Sequence, residues 1–561
     1  MPAAPVLAIE DLHVWFGTGS TETHTLKGIS LAVAPGERVG LVGESGCGKT
    51  TTILAAMGLL PPSASVAGRI LLGGEDLLAR GERSVAAHRW TDLAMVFQGA
   101  MNAFNPVHTV GWQIAEALRI HRPAPREAIT RRVHELLELV GIPAGRADAY
   151  PHEFSGGMRQ RAVIAMALAC EPKVLLADEP TTALDVVIQD QILALLTRLC
   201  DELALALILV THDLGVVAQT CDRAAVMLDG EIVEHGPVLD LHRNPTHSYT
   251  KRLFEATPSL GDARPAAPAA AAPSALLEVD GLRVSYSGRR GMTDALLRRP
   301  GPEQVAVDGI SLTVNRGELV ALVGQSGCGK TSTVQAVLGM VPAAGGDIRL
   351  DGESTRDLDR SGLRQLRRRV QMIYQDPYES LDGRFRVRDT LEEPLRIHRA
   401  AAGREQRRAI VRGALERVGL TPAGRYLDRY PHELSGGQRQ RVSIAACLVL
   451  QPELLLADEP VSMLDVSLRA GILDLLDELR TDSSLGILMI THDLSTAATY
   501  ADRILVMHEG RIVEHGPAWQ VVNEPVDGYT KMLLAAVPSP DPQVRPQRLA
   551  LTGDVAERSQ A

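Results

Sequence analysis

Gly43-Glu44-Ser45-Gly46-Cys47-Gly48-Lys49-Thr50 decides how the first half of this chain is read, and it returns as Gly324-Gln325-Ser326-Gly327-Cys328-Gly329-Lys330-Thr331. Both copies fit G-x-x-x-x-G-K-[ST], a loop whose glycines let backbone N–H groups close around phosphate oxygens at the start of a helix. In that reading Gly43, Ser45, Gly46, Gly48 and Thr51, with Gly324, Ser326, Gly327, Gly329 and Ser332, line two nucleotide sites. Lys49 and Lys330 reach the β- and γ-phosphates, and the hydroxyls of Thr50 and Thr331 are Mg²⁺ ligands. The flanking text suits a strand before and a helix after: residues 38–42 and 318–323 read as buried strands, 51–60 and 332–340 as helices.

At 561 residues the chain exceeds what one core supports, so two to four domains are expected. A formal charge of -10 argues against a nucleic-acid binder built on a broad basic face. Basic runs at 364–369 and 404–408 read as solvated helix faces. No apolar run approaches the roughly 18–20 residues that span a bilayer, and Met1-Pro2-Ala3-Ala4-Pro5 has neither the basic start nor the apolar core of a signal peptide, so a cytoplasmic location is expected. The six cysteines show no C-x-x-C spacing and read as incidental or buried thiols.

The organisation follows from an internal repeat. Lys330 lies 281 positions after Lys49, and Ser435, His492 and Tyr529 each lie 280 after Ser155, His212 and Tyr249. One module therefore occurs twice, at 6–258 and 276–538, joined by an Ala/Pro-rich linker at 259–275 and followed by a polar tail at 539–561 expected to be disordered. Each module opens with β-rich text, passes through helical spacing at 110–142 or 387–420, and returns to strands near 174–177 and 207–210, or 454–457 and 487–490. The expected fold is α/β: two tandem P-loop nucleotide-binding domains, each with a β-rich N-terminal part and a helical insertion.

Asp178-Glu179 and Asp458-Glu459 follow buried strands, at the carboxyl ends where open α/β sheets hold ligands. Asp178 and Asp458 are assigned to the Mg²⁺ shell, and Glu179 and Glu459 to polarising the attacking water. Beside these stand Phe154-Ser155-Gly156-Gly157-Met158-Arg159-Gln160-Arg161 and Leu434-Ser435-Gly436-Gly437-Gln438-Arg439-Gln440-Arg441. These stretches resemble the signature motif of ATP-binding-cassette (ABC) proteins, and the resemblance covers nearly all of both modules. It implies ATP and Mg²⁺ as ligands and helical signature subdomains. It makes Ser155, Gly156, Gly157, Ser435, Gly436, Gly437 and Gln438 a second set of γ-phosphate contacts, each set working with the other module's phosphate loop. Gln98 and Gln375 become Mg²⁺-sensing residues near the membrane partner, His212 and His492 switch histidines at the γ-phosphate, Asp185 and Asp465 a loop linking the sites, and Phe16 and Tyr286 adenine-stacking rings.

The segments 244–253 and 524–533, each followed by an Ala-x-Pro, resemble the C-terminal segment of dipeptide, oligopeptide and nickel importer ATPases. That resemblance implies two permease subunits and an extracytoplasmic substrate-binding protein as partners, with this chain peripheral on the cytoplasmic face of the plasma membrane. The substrate stays open among dipeptides, longer peptides, a nickel chelate, glutathione and oligosaccharides, and a soluble ABC ATPase without a permease is the alternative class. The chain departs from the family pattern at Gly99-Ala100, where Asp-Pro is usual, at Met158 and at Met463. It has no cysteine between 222 and 327, so no iron–sulfur cluster is expected.

Overall fold

The computed structural model describes residues 4–17, 22–79, 81–99, 103–182, 184–264, 275–287, 303–376 and 380–544. The Ala/Pro run 265–273, the tail beyond 544, and Ala100, Ala183 and Pro377 lie outside them. The chain forms two compact units, one of Met1–Thr257 with the described part of Ala535–Ala561, the other of Pro258–Leu534.

Both units are built the same way. In the first, a sheet runs in the order Glu231–Pro237, Arg223–Leu228, Arg38–Val42, Ala206–Thr211, Val174–Asp178, Leu93–Val96. All neighbours are parallel except the Glu231–Pro237 edge. The second unit repeats this order with Arg511–Pro517, Arg503–His508, Leu319–Val323, Gly486–Thr491, Leu454–Asp458 and Val370–Ile373. Strands covered on both faces should read as unbroken apolar runs, and Val174–Asp178 and Ala206–Thr211 are buried at every position.

A second, antiparallel sheet pairs Leu7–Phe16 with Thr23–Val33 and Ala64–Leu72. Its apolar side supplies Leu12, Val14, Leu26 and Ile29 to one core that also contains Ile53 and Ala56 of the helix Lys49–Ala56 and Val39 and Leu41 of the parallel sheet. The sequence Lys-Thr-Thr-Thr-Ile-Leu-Ala-Ala has weak intrinsic helix preference, because three threonines crowd χ1. Burying Ile53 alone contributes about 1.5–3 kcal/mol, so packing rather than propensity holds this helix. The helices predicted at 51–60 and 332–340 start and stop earlier, at Lys49–Ala56 and Lys330–Val337. Gly58 and Gly339 take left-handed φ values of 60° and 59° just beyond them and end the hydrogen-bonded turn.

The predicted helical insertion is two helices in each unit: Val110–His121 and Arg126–Leu139, then Val387–Ile397 and Arg404–Arg417. Pro123 and Pro125 separate the first pair. Val133, Leu136, Leu137 and Val140, singled out by their spacing, are all buried. The basic run at 364–369 is only partly a solvated face. Arg364 and Arg368 are exposed, but Arg367 donates to the carbonyls of Leu338 and Gly339, and Arg369 pairs with Glu453 at 2.6 Å.

The linker expected at 259–275 is held at its start, inside the second unit. The Arg264 N–H donates to the Ala498 carbonyl at 2.9 Å, and its guanidinium to Asp477 and the Tyr500 carbonyl at 3.0 Å each. In the first unit, Gln543 of the expected tail accepts from Arg243 at 2.6 Å. Specific ion-pair and amide contacts thus override the low-complexity composition at these points. Among the described residues no helix is long and apolar enough to cross a membrane.

Candidate nucleotide-hydrolysis sites

Strand order brings the chemistry together. Ala206–Thr211 lies between Arg38–Val42 and Val174–Asp178, all three parallel, so their carboxyl ends share one edge. The phosphate loop, the Asp178-Glu179 pair and His212 each leave one of these ends. The second unit repeats the arrangement with Gly486–Thr491 between Leu319–Val323 and Leu454–Asp458.

Gly48 and Gly329 precede their helices with φ values of 103° and 108°, a left-handed conformation that glycine adopts without strain. A Cβ at Gly43 would stand 2.3 Å from the Met227 carbonyl oxygen, and one at Gly324 2.2 Å from that of Met507, so neither place admits a side chain. Lys49 is only 6% exposed and donates to the carbonyls of Gly43 and Glu44 at 2.7 and 2.8 Å. Lys330 does the same to Gly324 and Gln325, at 2.6 and 2.8 Å.

Thr50 donates to Asp178 Oδ1 at 3.2 Å. Burial pushes the Asp178 and Asp458 carboxyls above the usual range, against the pull of Thr50 and Thr331. The adjacent glutamates differ. Burial would raise Glu179 too, but His212 Nδ1 at 3.0 Å from Oε1 outweighs it, and Gln98 Nε2 and Thr182 Oγ1 donate to Oε2 at 2.8 Å each; the result is a carboxyl below its ordinary value. Glu459 is lowered in the same way, by His492 Nδ1 at 3.2 Å and Gln375 Nε2 at 2.8 Å. Two neighbouring carboxyls therefore shift in opposite directions, the aspartate upward by burial and the glutamate downward by its histidine.

Glu179 and Glu459 sit at φ values of 44° and 45°, left-handed for residues with a Cβ. Their N–H groups bond across to Val210 and Ile490, and the turn aims each carboxylate at the histidine of the next strand. Sequence reading found both glutamates but not this strain, which leaves no mark in residue type. Thr182 was also missed; its counterpart Ser462 instead donates to the Glu459 carbonyl.

Ser155 and Ser435 cap the signature helices Gly156–Ala167 and Gly436–Leu448, accepting from Met158 N at 3.3 Å and Gln438 N at 3.4 Å. Gln438 also accepts from Ser435 N at 3.2 Å, closing a capping box that Met158 cannot form. Gly157 is pressed against Ile188, 2.7 Å from where its Cβ would lie. The motif's first arginine is architectural: Arg159 donates to the carbonyls of Pro151 and Phe154. Asp185 caps the helix Val186–Leu203 through Ile188 N at 3.0 Å, and Asp465 stands at the same place before Val466–Ser483. Tyr286 remains 39% exposed, its hydroxyl 3.0 Å from Ser332 at the start of the second phosphate-loop helix. Phe16 packs in part against the first unit's core, on the same strand face as Leu12 and Val14.

The C-terminal segments reach these sites too. Glu234 accepts from the N–H groups of Thr246 and His247 at 2.7 and 3.1 Å, fixing the approach to the helix Ser248–Glu255. Burial raises this carboxyl, but the Thr250 side chain, Thr246 and the His247 N–H together prevail and hold it at about 2. A lowered carboxyl contributes stability above its ordinary value of 4.5 and loses it as pH falls toward 2. Glu234→Ala should therefore destabilise the protein by about 1 kcal/mol at neutral pH. In urea titrations the gap from wild type should stay level from pH 9 to 5 and close in stronger acid.

A glycine loop holding a buried lysine, a strand-end Asp-Glu pair and a histidine on the glutamate define an ATP-hydrolysing P-loop cassette, present twice. The chain belongs to the ABC transporter family, whose profile matches residues 26–182 and 307–462. The profile of the oligopeptide/dipeptide transporter C-terminal region matches 233–280 and 513–561. The chain is 43% identical over 585 residues to the glutathione import ATP-binding protein GsiA of Escherichia coli O157:H7, covering 99% of this chain and 93% of that one. It is 43% identical over 536 residues to the peptidoglycan transport ATP-binding protein YejF of Agrobacterium fabrum, covering 95% and 96%. Among solved structures it is similar to cbiO1 from Clostridium perfringens, part of the ABC transporter complex cbiONQ, at 29% identity and a TM-score of 0.39, over 45% of this chain and 92% of that chain.

Proposed function

We propose that this chain powers the import of small peptides, glutathione among them, as the fused ATPase pair of an ABC importer. The carrying observation is that two ABC transporter matches are each followed by a C-terminal region of oligopeptide/dipeptide transporter type. The modules are bounded at 6–258 and 276–538. Two permease subunits and an extracytoplasmic binding protein complete the assembly, with this chain on the cytoplasmic face of the membrane. The names of the relatives, import of glutathione and transport of peptidoglycan, favour peptide-like solutes over a nickel chelate.

Within each site, loop amides with Lys49 or Lys330 hold the phosphates. Thr50, Asp178 and Gln98, with Thr331, Asp458 and Gln375, offer the hard oxygen donors that suit Mg²⁺, which when bound neutralises phosphate charge. Glu179 and Glu459 polarise the attacking water, and His212 and His492 orient those carboxylates and contact the γ-phosphate. Ser155, Gly156 and Gly157, with Ser435, Gly436, Gly437 and Gln438, supply further phosphate contacts, and Phe16 and Tyr286 flank the adenine.

Deleting the gene tests the substrate class. Uptake of labelled glutathione and of di- or oligopeptides should fall to background, and return with the wild-type gene but not with the Glu179→Gln, Glu459→Gln double variant. Unchanged uptake of these solutes would remove the proposal of peptide import and leave the ATPase standing.

A further inference from the structure

Each phosphate loop is touched by a residue from far along the chain. The Tyr249 hydroxyl accepts the backbone N–H of Glu44 at 3.0 Å, and the Tyr529 hydroxyl accepts that of Gln325 at 3.0 Å. Both tyrosines are almost fully buried, at 4% and 8% exposure, in the helices Ser248–Glu255 and Gly528–Ala536 of the C-terminal regions. The surroundings of the two contacts have diverged. Tyr249 N donates to the His247 ring and Tyr529 N to the Asp527 carboxylate; Thr246 and Val526 occupy equivalent places; His508 stacks on Tyr529 at 3.9 Å, where the first unit has Leu228. The hydroxyl-to-amide bond is the same in both.

The bond falls at an informative place. Lys49 holds the Glu44 carbonyl while Tyr249 holds the Glu44 N–H, so this residue is fixed at both ends, and Gln325 likewise by Lys330 and Tyr529. The Lys49 and Lys330 ammoniums also reach Cys47 and Cys328 Sγ at 3.8 and 3.9 Å, so a phosphate exchanges with a protein partner for one of three N–H donors. A second anchor on the same residue keeps the loop's curve while that exchange takes place. We propose that Tyr249 and Tyr529 are positioning residues of the two phosphate loops, through which each C-terminal region sets the ATP affinity of its own cassette. The inference rests on the assignment of Lys49 and Lys330 to phosphate binding.

The test uses the full chain with Tyr249→Phe, Tyr529→Phe and both, because phenylalanine keeps the ring and removes only the hydroxyl. One net hydrogen bond corresponds to roughly a two- to tenfold effect. In the double variant KM for ATP should rise by about that factor, and kcat should change less. Packing alone predicts no change in KM, and an unchanged KM in the double variant overturns the proposal. If the phenylalanine variants fold poorly, Glu234→Gln with Glu514→Gln serves instead, since these carboxylates fix the approach to the tyrosine helices; KM should rise there too, and an unchanged value again overturns it. A Lys49→Ala, Lys330→Ala protein that binds ATP normally would overturn the phosphate-loop assignment itself. If the lysine variant loses ATP while the tyrosine variants do not, only the present inference fails.

Discussion

Replacing both Glu179 and Glu459 by glutamine should lower ATP turnover by about 10² to 10⁴, the usual cost of losing a general base. The substitution keeps size and leaves the phosphate loop untouched. It replaces an ionised oxygen, held below its ordinary pKa by His212 or His492, with an amide that cannot take a proton from water. ATP should still bind, because affinity comes from the loop amides and the lysines, so the double variant should retain nucleotide while releasing almost no phosphate. Either single change should remove far more than half of the turnover if the two sites fire together. Phosphate release and nucleotide retention, measured on the same samples, separate the cases. Near-normal turnover after Glu459→Gln alone would mean that the second site is regulatory, despite its full set of Lys330, Asp458, Glu459 and His492.

Gly43→Ala should be the most damaging small change in the first phosphate loop. The new methyl would lie 2.3 Å from the Met227 carbonyl oxygen and 2.9 Å from Cys47 Sγ, at a φ of 155°. Backbone cannot swing aside as a long side chain can, so the strand Arg38–Val42 and the strand Arg223–Leu228 must be forced apart or the loop must reshape. Overpacking of this kind costs about 1–3 kcal/mol, and a reshaped loop no longer directs its amides at one point. The first site should therefore lose ATP binding as well as stability. Gly46→Ala is the control: nothing lies within 4 Å of its Cβ, and only the left-handed φ of 83° opposes it. That strain is worth about 1–2 kcal/mol. Urea unfolding and ATP titration on the two variants should show comparable destabilisation but a much larger affinity loss for Gly43→Ala. Equal ATP affinities would mean that the space beside Gly43 does not shape the site.

Much of this was legible in the residues alone, because the informative interactions are local. A phosphate loop is specified by glycine, lysine and threonine within eight positions, since the amides it presents belong to the loop itself. The repeat, the strand-end Asp-Glu pairs and the Ser-Gly-Gly helix starts are likewise short-range features. Helix ends were less legible: Gly58 and Gly339 stop their helices earlier than the apolar spacing suggests. Phe16 shows a different limit. Resemblance assigns it to adenine, while the alternation of its strand places it on the side of the core, and residue type does not weigh one against the other.

Tertiary structure alone decided which distant groups meet. Gln98 reaches Glu179 across 81 positions, His212 reaches it across 33, and Tyr249 reaches Glu44 across 205. None of these pairings has a sequence signal, because each depends on the order and register of parallel strands and on where a C-terminal helix packs. Those are set by the summed burial of many apolar side chains, whose attraction has no direction and names no partner. Once the strand Ala206–Thr211 lies between Arg38–Val42 and Val174–Asp178, the ends of the three strands are forced together, and burial raises the Asp178 carboxyl while His212 lowers that of Glu179. The residues of the site were written in the chain; their opposite charge preferences arise from burial and neighbours that only the folded sheet supplies.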